Sequence, residues 1–230
     1  MVKLKLFKGF NISPNYYHSI ILIGNFDGVH LGHQKLFKKA REYKKKFKCK
    51  IGVIAFNPMP KMFFNKNLKH FKLMNLSQKI REFKKQKVDF LIIQKFSKSF
   101  SKIKADFFIK KYLNKKIKAK FLFVSNNFKF GNKREGDVHL LKTYEKKSNY
   151  KLIIPQPLKK NNKIISSTEI RKLLSNGNLD KANKYLTRKW EIEGKVEKGR
   201  KIGGKIGFAT CNIDIGNYII AKPGVYSVKV

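Results

Sequence analysis

The sequence has 230 residues, 42% of them hydrophobic and 13% aromatic, and a formal net charge of +40 at pH 7. This hydrophobic content can bury a core in one full domain and part of a second, which excludes an intrinsically disordered chain. No apolar run approaches the ~20 residues that span a bilayer, and the first ten residues lack the apolar core of a signal peptide, so we expect a cytoplasmic protein without a membrane partner.

The positive charge is mostly lysine and is spread along the whole chain. Proteins that read nucleic acid gather arginine and aromatic side chains in a recognisable module, so we interpret the charge as a compositional bias and expect no specific nucleic acid partner. The cysteines, Cys49 and Cys211, are far apart and belong to no CxxC or Cys/His pattern, which predicts neither a disulfide nor a zinc site. The oligomeric state stays open.

The first predicted strand, at 19–23, leads into a glycine-rich turn, GNFDGVHLGHQ (24–34), and the apolar spacing that follows predicts a helix up to Phe47. The first amides of such a helix lack internal partners and attract phosphate. His30 and His33, three residues apart, fall on one side of the first helical turn. Paired imidazoles beside a bound phosphate indicate phosphoryl or nucleotidyl transfer, in which the protein mainly stabilises developing charge.

This turn resembles the GxFDGVHxGHQ signature of the bacterial bifunctional riboflavin kinase/FMN adenylyltransferases, also called FAD synthetases. The HxGH core is shared by many nucleotidylyltransferases, whereas the longer string is much more specific. The resemblance implies an FMN adenylyltransferase with Mg²⁺, ATP and FMN at its site. It implies that His30 and His33 are catalytic. The ATP-binding residues that it implies at this turn are Gly24, Phe26, Asp27 and Gly32.

A second buried strand is predicted at 50–56, and the two prolines of an NPMP turn end it. The family has a TFxPHP turn here, followed by aromatic residues near the flavin, and this chain has Ala55 and Met59 in place of the usual Thr and His. The resemblance implies that Pro58 and Phe64 contact flavin. From the residues alone, a core position is an equally good interpretation of Phe64.

Farther along, helices and strands alternate: helix 77–87 capped by Ser77, strand 88–93, helix 105–113, strand 120–124, helix 137–147 and strand 150–154. This alternation predicts an α/β fold, a mostly parallel sheet with helices on both faces. The resemblance implies the Rossmann-like nucleotidylyltransferase form of that fold. Ligands of such sheets lie beyond the carboxyl ends of the strands, so the loops that follow strands are candidate sites.

The loop after the strand at 120–124 has the sequence SNNFKFG (125–131) and resembles the family's VGxNFxFG element. The resemblance implies that Asn127 contacts nucleotide and flavin phosphates and is catalytic. It also implies that Phe128 and Phe130 pack beside or face the flavin. Without the resemblance, this loop is a polar turn with two core aromatic residues.

The sequence SSTEIR (166–171) predicts a second helix start, because Ser166 and Glu169 have capping-box spacing, and Gly177 ends the helix. Hydroxyls at a helix start attract anions, and an arginine one turn in presents a planar fork to phosphate oxygens. The string resembles the family's second ATP-phosphate motif, and we predict that both helix starts converge on one nucleotide. The triphosphate-binding residues that it implies are Ser167, Thr168 and Arg171, of which Arg171 is also catalytic.

Beyond residue 186 the composition changes to glycine-punctuated, strand-like pieces, at 191–196, 206–213 and 218–220. This change predicts a boundary between domains at 1–186 and 187–230. The strings GFATCN (207–212) and PGVYSV (223–228) resemble the start of the riboflavin kinase β-barrel.

In that resemblance Thr210 and Asn212 hold magnesium, and riboflavin is a further substrate. The family's kinase domain continues beyond the point where this sequence ends, and its catalytic glutamate lies there. We therefore expect the chain as given to lack riboflavin kinase activity, and formation of FMN from riboflavin and ATP would contradict this.

Two other functions stay open from the sequence. One is a related HxGH enzyme that acts on another phosphate acceptor, such as phosphopantetheine or nicotinate mononucleotide. The other is a basic nucleic-acid-binding protein on a degenerate nucleotidylyltransferase scaffold. The phenylalanine-rich loops and the kinase-like tail favour flavin.

Overall fold

The computed structural model describes residues 4–160, 162–199 and 210–229. Its main feature is a six-stranded sheet of order β1-β4-β3-β2-β5-β6, in which every pairing is parallel. This architecture confirms the predicted α/β class. The six strands are β1 (Lys5–Lys8), β2 (Ile20–Ile23), β3 (Ile51–Asn57), β4 (Phe90–Lys95), β5 (Phe121–Phe123) and β6 (Lys151–Ile153).

Helices connect the strands and cover both faces of the sheet. Their bounds are α1 (Leu31–Phe47), α2 (Pro60–Phe64), α3 (Leu76–Lys85), α4 (Lys98–Ser101), α5 (Ala105–Phe107), α6 (Val138–Thr143), α7 (Ser167–Ser175) and α8 (Leu179–Leu186). Helix α5 continues as a π-helix, Phe108–Lys116, and 3₁₀ turns lie at Pro14–Tyr16 and Asn132–Arg134. Two small antiparallel pairs complete the structure, β7 (Lys159–Lys160) with β8 (Lys163–Ile164) and β9 (Val196–Glu197) with β10 (Asn212–Ile213).

The central strand β2 is buried on both faces. Leu22 packs in a cluster with Phe37 of α1 and Phe83 of α3, while Ile21 packs on the opposite face with Ile109 of the π-helix. A strand covered on both faces has no polar side to alternate with, which explains the continuous apolar run that predicted it. A third cluster joins α7 to α8 beside the sheet.

Two predicted features differ from the structure, and one strand was not predicted. Helix α3 is capped by Asn75 and not by Ser77: the Asn75 side chain accepts from the Gln78 amide and the Gln78 side chain accepts from the Asn75 amide, both at 2.9 Å. Asn75 and Gln78, three residues apart, form a capping box in which each side chain accepts from the backbone amide of the other residue. The predicted Ser77 cap is therefore wrong. Helix α6 ends at Thr143 and is shorter than predicted. Edge strand β1 was not predicted. It is short and rich in lysine, as edge strands often are, and its partner β4 lies far along the chain.

The glycine-punctuated tail forms less strand than predicted. Within 191–196 only Val196 is in a strand, and Tyr218 forms an isolated bridge to Lys72. The predicted strand residues 206–209 lie outside the described residues. Within the described part of the chain, no helix combines the length and the apolar character needed to cross a membrane.

Candidate functional site

The candidate site is a cavity of about 340 Å³ at the carboxyl end of the sheet. Strands β3 and β4 are added on one side of β2, whereas β5 and β6 are added on the other, so the strand order reverses between β2 and β5 and the loops after these two strands leave a crevice. The cavity is lined by the turn after β2, by residues that follow β3 and β5, and by the start of α7. The lining residues are Ile23, Gly24, Asn25, Phe26, Asp27, His33, Leu36, Met59, Lys61, Phe71, Ser125, Phe128, Ser167, Thr168 and Arg171.

The turn between β2 and α1 has an unusual backbone. Phe26, Gly28 and Val29 all have positive φ, at 47°, 90° and 39°. A β-branched residue such as Val29 rarely adopts this conformation, and strained backbone of this kind concentrates at functional sites. At Gly28 a side chain would also collide, because a Cβ there would lie 2.9 Å from Leu73 Cδ1.

The two histidines of the turn stack on each other, with ring centroids 3.7 Å apart and planes at 22°. His30 is the N-cap of α1, and His33 rests edge-on against the buried Phe26 ring at 5.1 Å. The Nδ1 atoms of both histidines and Oδ1 of Asn25 are buried without a partner among the described residues. Because buried polar atoms are normally hydrogen-bonded, three such atoms at one turn indicate a ligand site.

Both imidazoles are neutral at pH 7. Burial, reinforced by the positive charges of Arg171 and Arg188, lowers the pKa of His30 to about 4. Burial also lowers the pKa of His33 well below its usual value, with smaller contributions from His30 and Lys79. A neutral imidazole has one donor and one acceptor nitrogen, and a bound polyanion would raise both pKa values.

The start of α7 lies against the turn that contains the histidines. Ser166 caps α7 by accepting from the Glu169 amide at 3.2 Å, and Ser167 Oγ donates to the Asp27 carbonyl at 2.6 Å. A Cβ on Gly32 would lie 3.0 Å from the Ile165 carbonyl oxygen, so a larger residue there would crowd the close approach of the two segments. The two helix starts therefore meet at one cavity, as the sequence predicts.

Arg171 joins the two helix starts electrostatically. Its Nη2 atom lies 2.5 Å from Asp27 Oδ2, its Nε donates to the Phe71 carbonyl at 2.7 Å, and its guanidinium lies 3.7 Å from the Phe71 ring centroid. The Asp27 carboxylate, itself buried, also accepts from the Leu73 amide at 3.1 and 3.2 Å. These contacts fix the guanidinium at the cavity wall while leaving it charged.

The residues implied in flavin binding are not all at the cavity. Phe128 lines it, and its ring stacks on Phe130 at 5.4 Å, but Phe130 lies outside the lining. Asn127 is exposed and accepts from Ser125 Oγ at 2.9 Å. Pro58 is exposed and Phe64 is 69% exposed, so both lie outside the lining, while the buried Met59 between them faces the cavity.

Thr210 and Asn212 lie at β10, away from this cavity, and both are exposed. Hydroxyl and amide oxygens are ligand types that Mg²⁺ accepts. Within 4–160, 162–199 and 210–229, no group of three or more His, Cys, Asp or Glu side chains is placed to hold a metal.

Sequence reasoning did not single out Asn25, Lys61 or Phe71, all of which line the cavity. Asn25 stands inside the glycine-rich turn, so its position was a usable indication. Lys61 and Phe71 lie in segments without periodicity, and only the folded chain brings them to the cavity, where Lys61 Nζ lies 5.2 Å and the Arg171 guanidinium 3.7 Å from the Phe71 ring centroid.

Comparison with known proteins adds independent information. A family model described as FAD synthetase matches residues 13–169, and one described as riboflavin kinase matches residues 186–230. The protein named bifunctional riboflavin kinase/FMN adenylyltransferase from Buchnera aphidicola subsp. Acyrthosiphon pisum (strain APS) is 39% identical over 99% of this chain and 73% of its own length. The protein of the same name from Escherichia coli (strain K12) is 33% identical over the same shares.

Solved structures agree on the fold. A structure titled as a macrolide-efflux protein from Streptococcus pneumoniae matches with a TM-score of 0.82 and 28% identity, over 98% of this chain and 73% of that one. Pantoate-beta-alanine ligase from Francisella tularensis matches with a TM-score of 0.50 and 16% identity, over 89% of this chain and 85% of the ligase chain, which bears on the fold alone.

Proposed function

The chain belongs to the bifunctional riboflavin kinase/FMN adenylyltransferase family, and from this membership we propose which residues carry the transfer of AMP from ATP to FMN. In this reaction an oxygen of the FMN phosphate bonds to the α-phosphorus of ATP, the bond to pyrophosphate breaks, and FAD forms. The observation that carries our assignment is the meeting of the α1 and α7 starts at one cavity.

The triphosphate lies at the α7 start in our proposal. The hydroxyls of Ser167 and Thr168 line the cavity beside the first amides of α7, and Arg171 adds a fixed positive charge. Helix amides and a planar guanidinium are both suited to phosphate oxygens. The Asp27 carboxylate is already bound by Arg171 and by the Leu73 amide, so we assign it the task of orienting Arg171.

The histidines act on the transferring phosphoryl group. His30 and His33 are neutral, and their Nδ1 atoms have no partner within the described part of the chain, so the two rings can donate hydrogen bonds that strengthen as negative charge develops on the α-phosphate. Such donors are fixed in advance, because the Phe26 ring supports His33 and the turn backbone fixes His30. Gly24 and Gly32 let the nucleotide approach the backbone.

FMN enters from the side of the loops after β3 and β5. Phe128 lines the cavity there and is the proposed contact for the flavin ring. We propose Asn127, which is exposed on the same loop, as a contact of the FMN phosphate. The remaining proposed flavin contacts, outside the cavity lining, are Pro58, Phe64 and Phe130.

In our proposal the ATP phosphates would hold Mg²⁺ at the transferase site, because the nearby Asp27 carboxylate is already paired with Arg171, and the ion would neutralise part of the phosphate charge. Thr210 and Asn212 stay the proposed ligands of a separate magnesium ion in the domain proposed at 187–230. We place the protein in the cytoplasm, which suits the two free thiols of Cys49 and Cys211.

A chromatographic assay of FMN plus ATP, beside riboflavin plus ATP, tests the function, and His33→Ala tests the site. Loss of a donor that acts on developing charge typically lowers kcat by about 10²–10³-fold, so we expect turnover to fall more than ATP affinity. His139→Ala, which removes an exposed imidazole on α6, is the matched control and keeps wild-type turnover. Unchanged turnover in His33→Ala would contradict the assignment.

A further inference from the structure

One tripeptide, Phe71 to Leu73, lies between the nucleotide site and the C-terminal part of the chain. On the site side, the Phe71 carbonyl accepts from Arg171 Nε at 2.7 Å, and the Leu73 amide donates to the Asp27 carboxylate. These are the two side chains whose ion pair joins the helix starts. The position of this tripeptide therefore determines where the Arg171 guanidinium lies.

The other side of the tripeptide is bound by residues 190–199 and 210–222, which we call the strap. The Phe71 and Lys72 amides donate to the Asn217 carbonyl at 2.9 and 2.8 Å, and the Lys72 carbonyl accepts from the Ile219 amide at 2.8 Å. The Leu73 carbonyl accepts from Trp190 Nε1 at 3.0 Å. All six backbone polar groups of the tripeptide are thus used, four by the strap and two by the site.

The strap is itself anchored on the first turn of α3. The Glu193 carboxylate accepts from Asn75 Nδ2 at 3.0 Å and from Ser77 Oγ at 2.6 Å, and it pairs with Arg81. The Tyr218 hydroxyl donates to Gln78 Oε1 at 2.5 Å. These bonds satisfy the exposed groups of a helix start and hold the strap against the tripeptide.

We infer that the strap is a positioning element of the ATP site, although it comes from the segment that matches the riboflavin kinase model. The strap touches neither the cavity nor the reacting atoms, and it acts through Leu73 on Asp27 and through Phe71 on Arg171. We expect occupation of the ATP site to change the surroundings of Trp190, because Trp190 Nε1 donates to the Leu73 carbonyl and the Leu73 amide donates to Asp27 at the site. This inference rests on the proposed ATP site.

Because the chain has a single tryptophan, the effect of ATP-site occupation on the surroundings of Trp190 can be measured directly by fluorescence. We titrate the full chain with α,β-methylene-ATP, which binds without reacting, and excite where adenine does not absorb. The expected result is a saturable change of Trp190 emission with the same midpoint as calorimetric binding. Calorimetric binding with no change of emission would overturn the inference, and absence of FAD formation with a normal titration would contradict only the proposed function.

Trp190→Phe tests whether the strap positions the ATP site, because the substitution removes the Nε1 donor and keeps an aromatic ring. A lost hydrogen bond of about 1 kcal/mol corresponds to a change of about fivefold, so we expect the Kd for α,β-methylene-ATP and the KM for ATP to rise about threefold to tenfold, with kcat changed less. Tyr218→Phe, which loosens the strap at its anchor, is expected to act in the same direction.

Tyr150→Phe is the matched control. It removes a buried hydroxyl that donates to the Leu141 carbonyl at 2.5 Å, in the cluster on the opposite face of the sheet. This variant loses stability without touching the strap, and we expect its ATP constants to stay within twofold of wild type. Equal effects of Tyr150→Phe and Trp190→Phe, or wild-type constants in Trp190→Phe, would overturn the inference.

Discussion

Asp27→Asn tests how the two helix starts are joined. The substitution keeps the shape of the side chain and removes its charge, so the Arg171 guanidinium, with 12% of its side chain exposed, loses its carboxylate partner. Removal of one partner from a buried ion pair typically costs 3–5 kcal/mol, because the other charge stays buried without compensation. We expect a loss of about 3–5 kcal/mol, which is large beside a typical total of about 5–15 kcal/mol.

Urea unfolding followed by Trp190 emission and by far-UV circular dichroism measures this loss. The matched control is Asp137→Asn, at the N-cap of α6, where the Asp137 carboxylate accepts from the Leu140 amide at 3.0 Å and pairs with Lys129 at the surface. Asparagine caps a helix as well as aspartate, and a surface pair contributes little, so we expect the control to lose less than about 1 kcal/mol.

A double variant makes the reasoning sharper. Asp27→Asn combined with Arg171→Gln removes both charges, and we expect it to lose less stability than the sum of the two single variants. Two results would refute the reasoning: a loss in Asp27→Asn no larger than in Asp137→Asn, or strict additivity in the double variant. Either result would mean that the Asp27–Arg171 ion pair does not link the starts of α1 and α7.

Two further predictions concern the turn itself. The pKa of His30 is about 4 in the folded chain and about 6.5 when unfolded, so the unfolded chain binds the extra proton between these values. The free energy of unfolding should therefore be highest above pH 6.5 and fall by up to about 3 kcal/mol as the pH drops to 4. The midpoint of urea unfolding, measured at a series of pH values, tests this dependence. In His30→Gln the dependence on pH should be weaker. Gly28→Ala forces alanine to a φ of 90° and should lower the unfolding free energy by about 1–2 kcal/mol, and a loss below about 0.5 kcal/mol would contradict this.

Local patterns were enough to predict most of the sheet and both helix starts. The GNFDGVHLGHQ turn and the SSTEIR helix are short strings whose chemistry is contained in neighbouring residues, and the structure brings them together. The cap of α3 was assigned to Ser77 because serine is a common cap, whereas Asn75 with Gln78 satisfies two amides. Two polar candidates two positions apart, Asn75 and Ser77, cannot be distinguished without the helix geometry.

The connections that hold the site could not be predicted from the sequence. Arg171 meets Asp27 across 144 positions of the chain, and Trp190 meets Leu73 across 117. Neither contact leaves a periodic pattern, because each depends on a single side chain and on backbone groups of a loop. Strand β1 was missed for a different reason: it is a short edge strand, and its partner β4 lies far along the chain.

The face-to-face contact of His30 and His33 has one more consequence. Rings 3.7 Å apart cannot both hold a positive charge at moderate cost, so the pair can take up at most one proton near neutral pH. A pair of rings that takes up a single proton can balance one unit of negative charge and no more. In the proposed site, the charge of the bound triphosphate would therefore be balanced by fixed groups such as Arg171, and the imidazoles would respond to the negative charge that develops as the bond to pyrophosphate breaks.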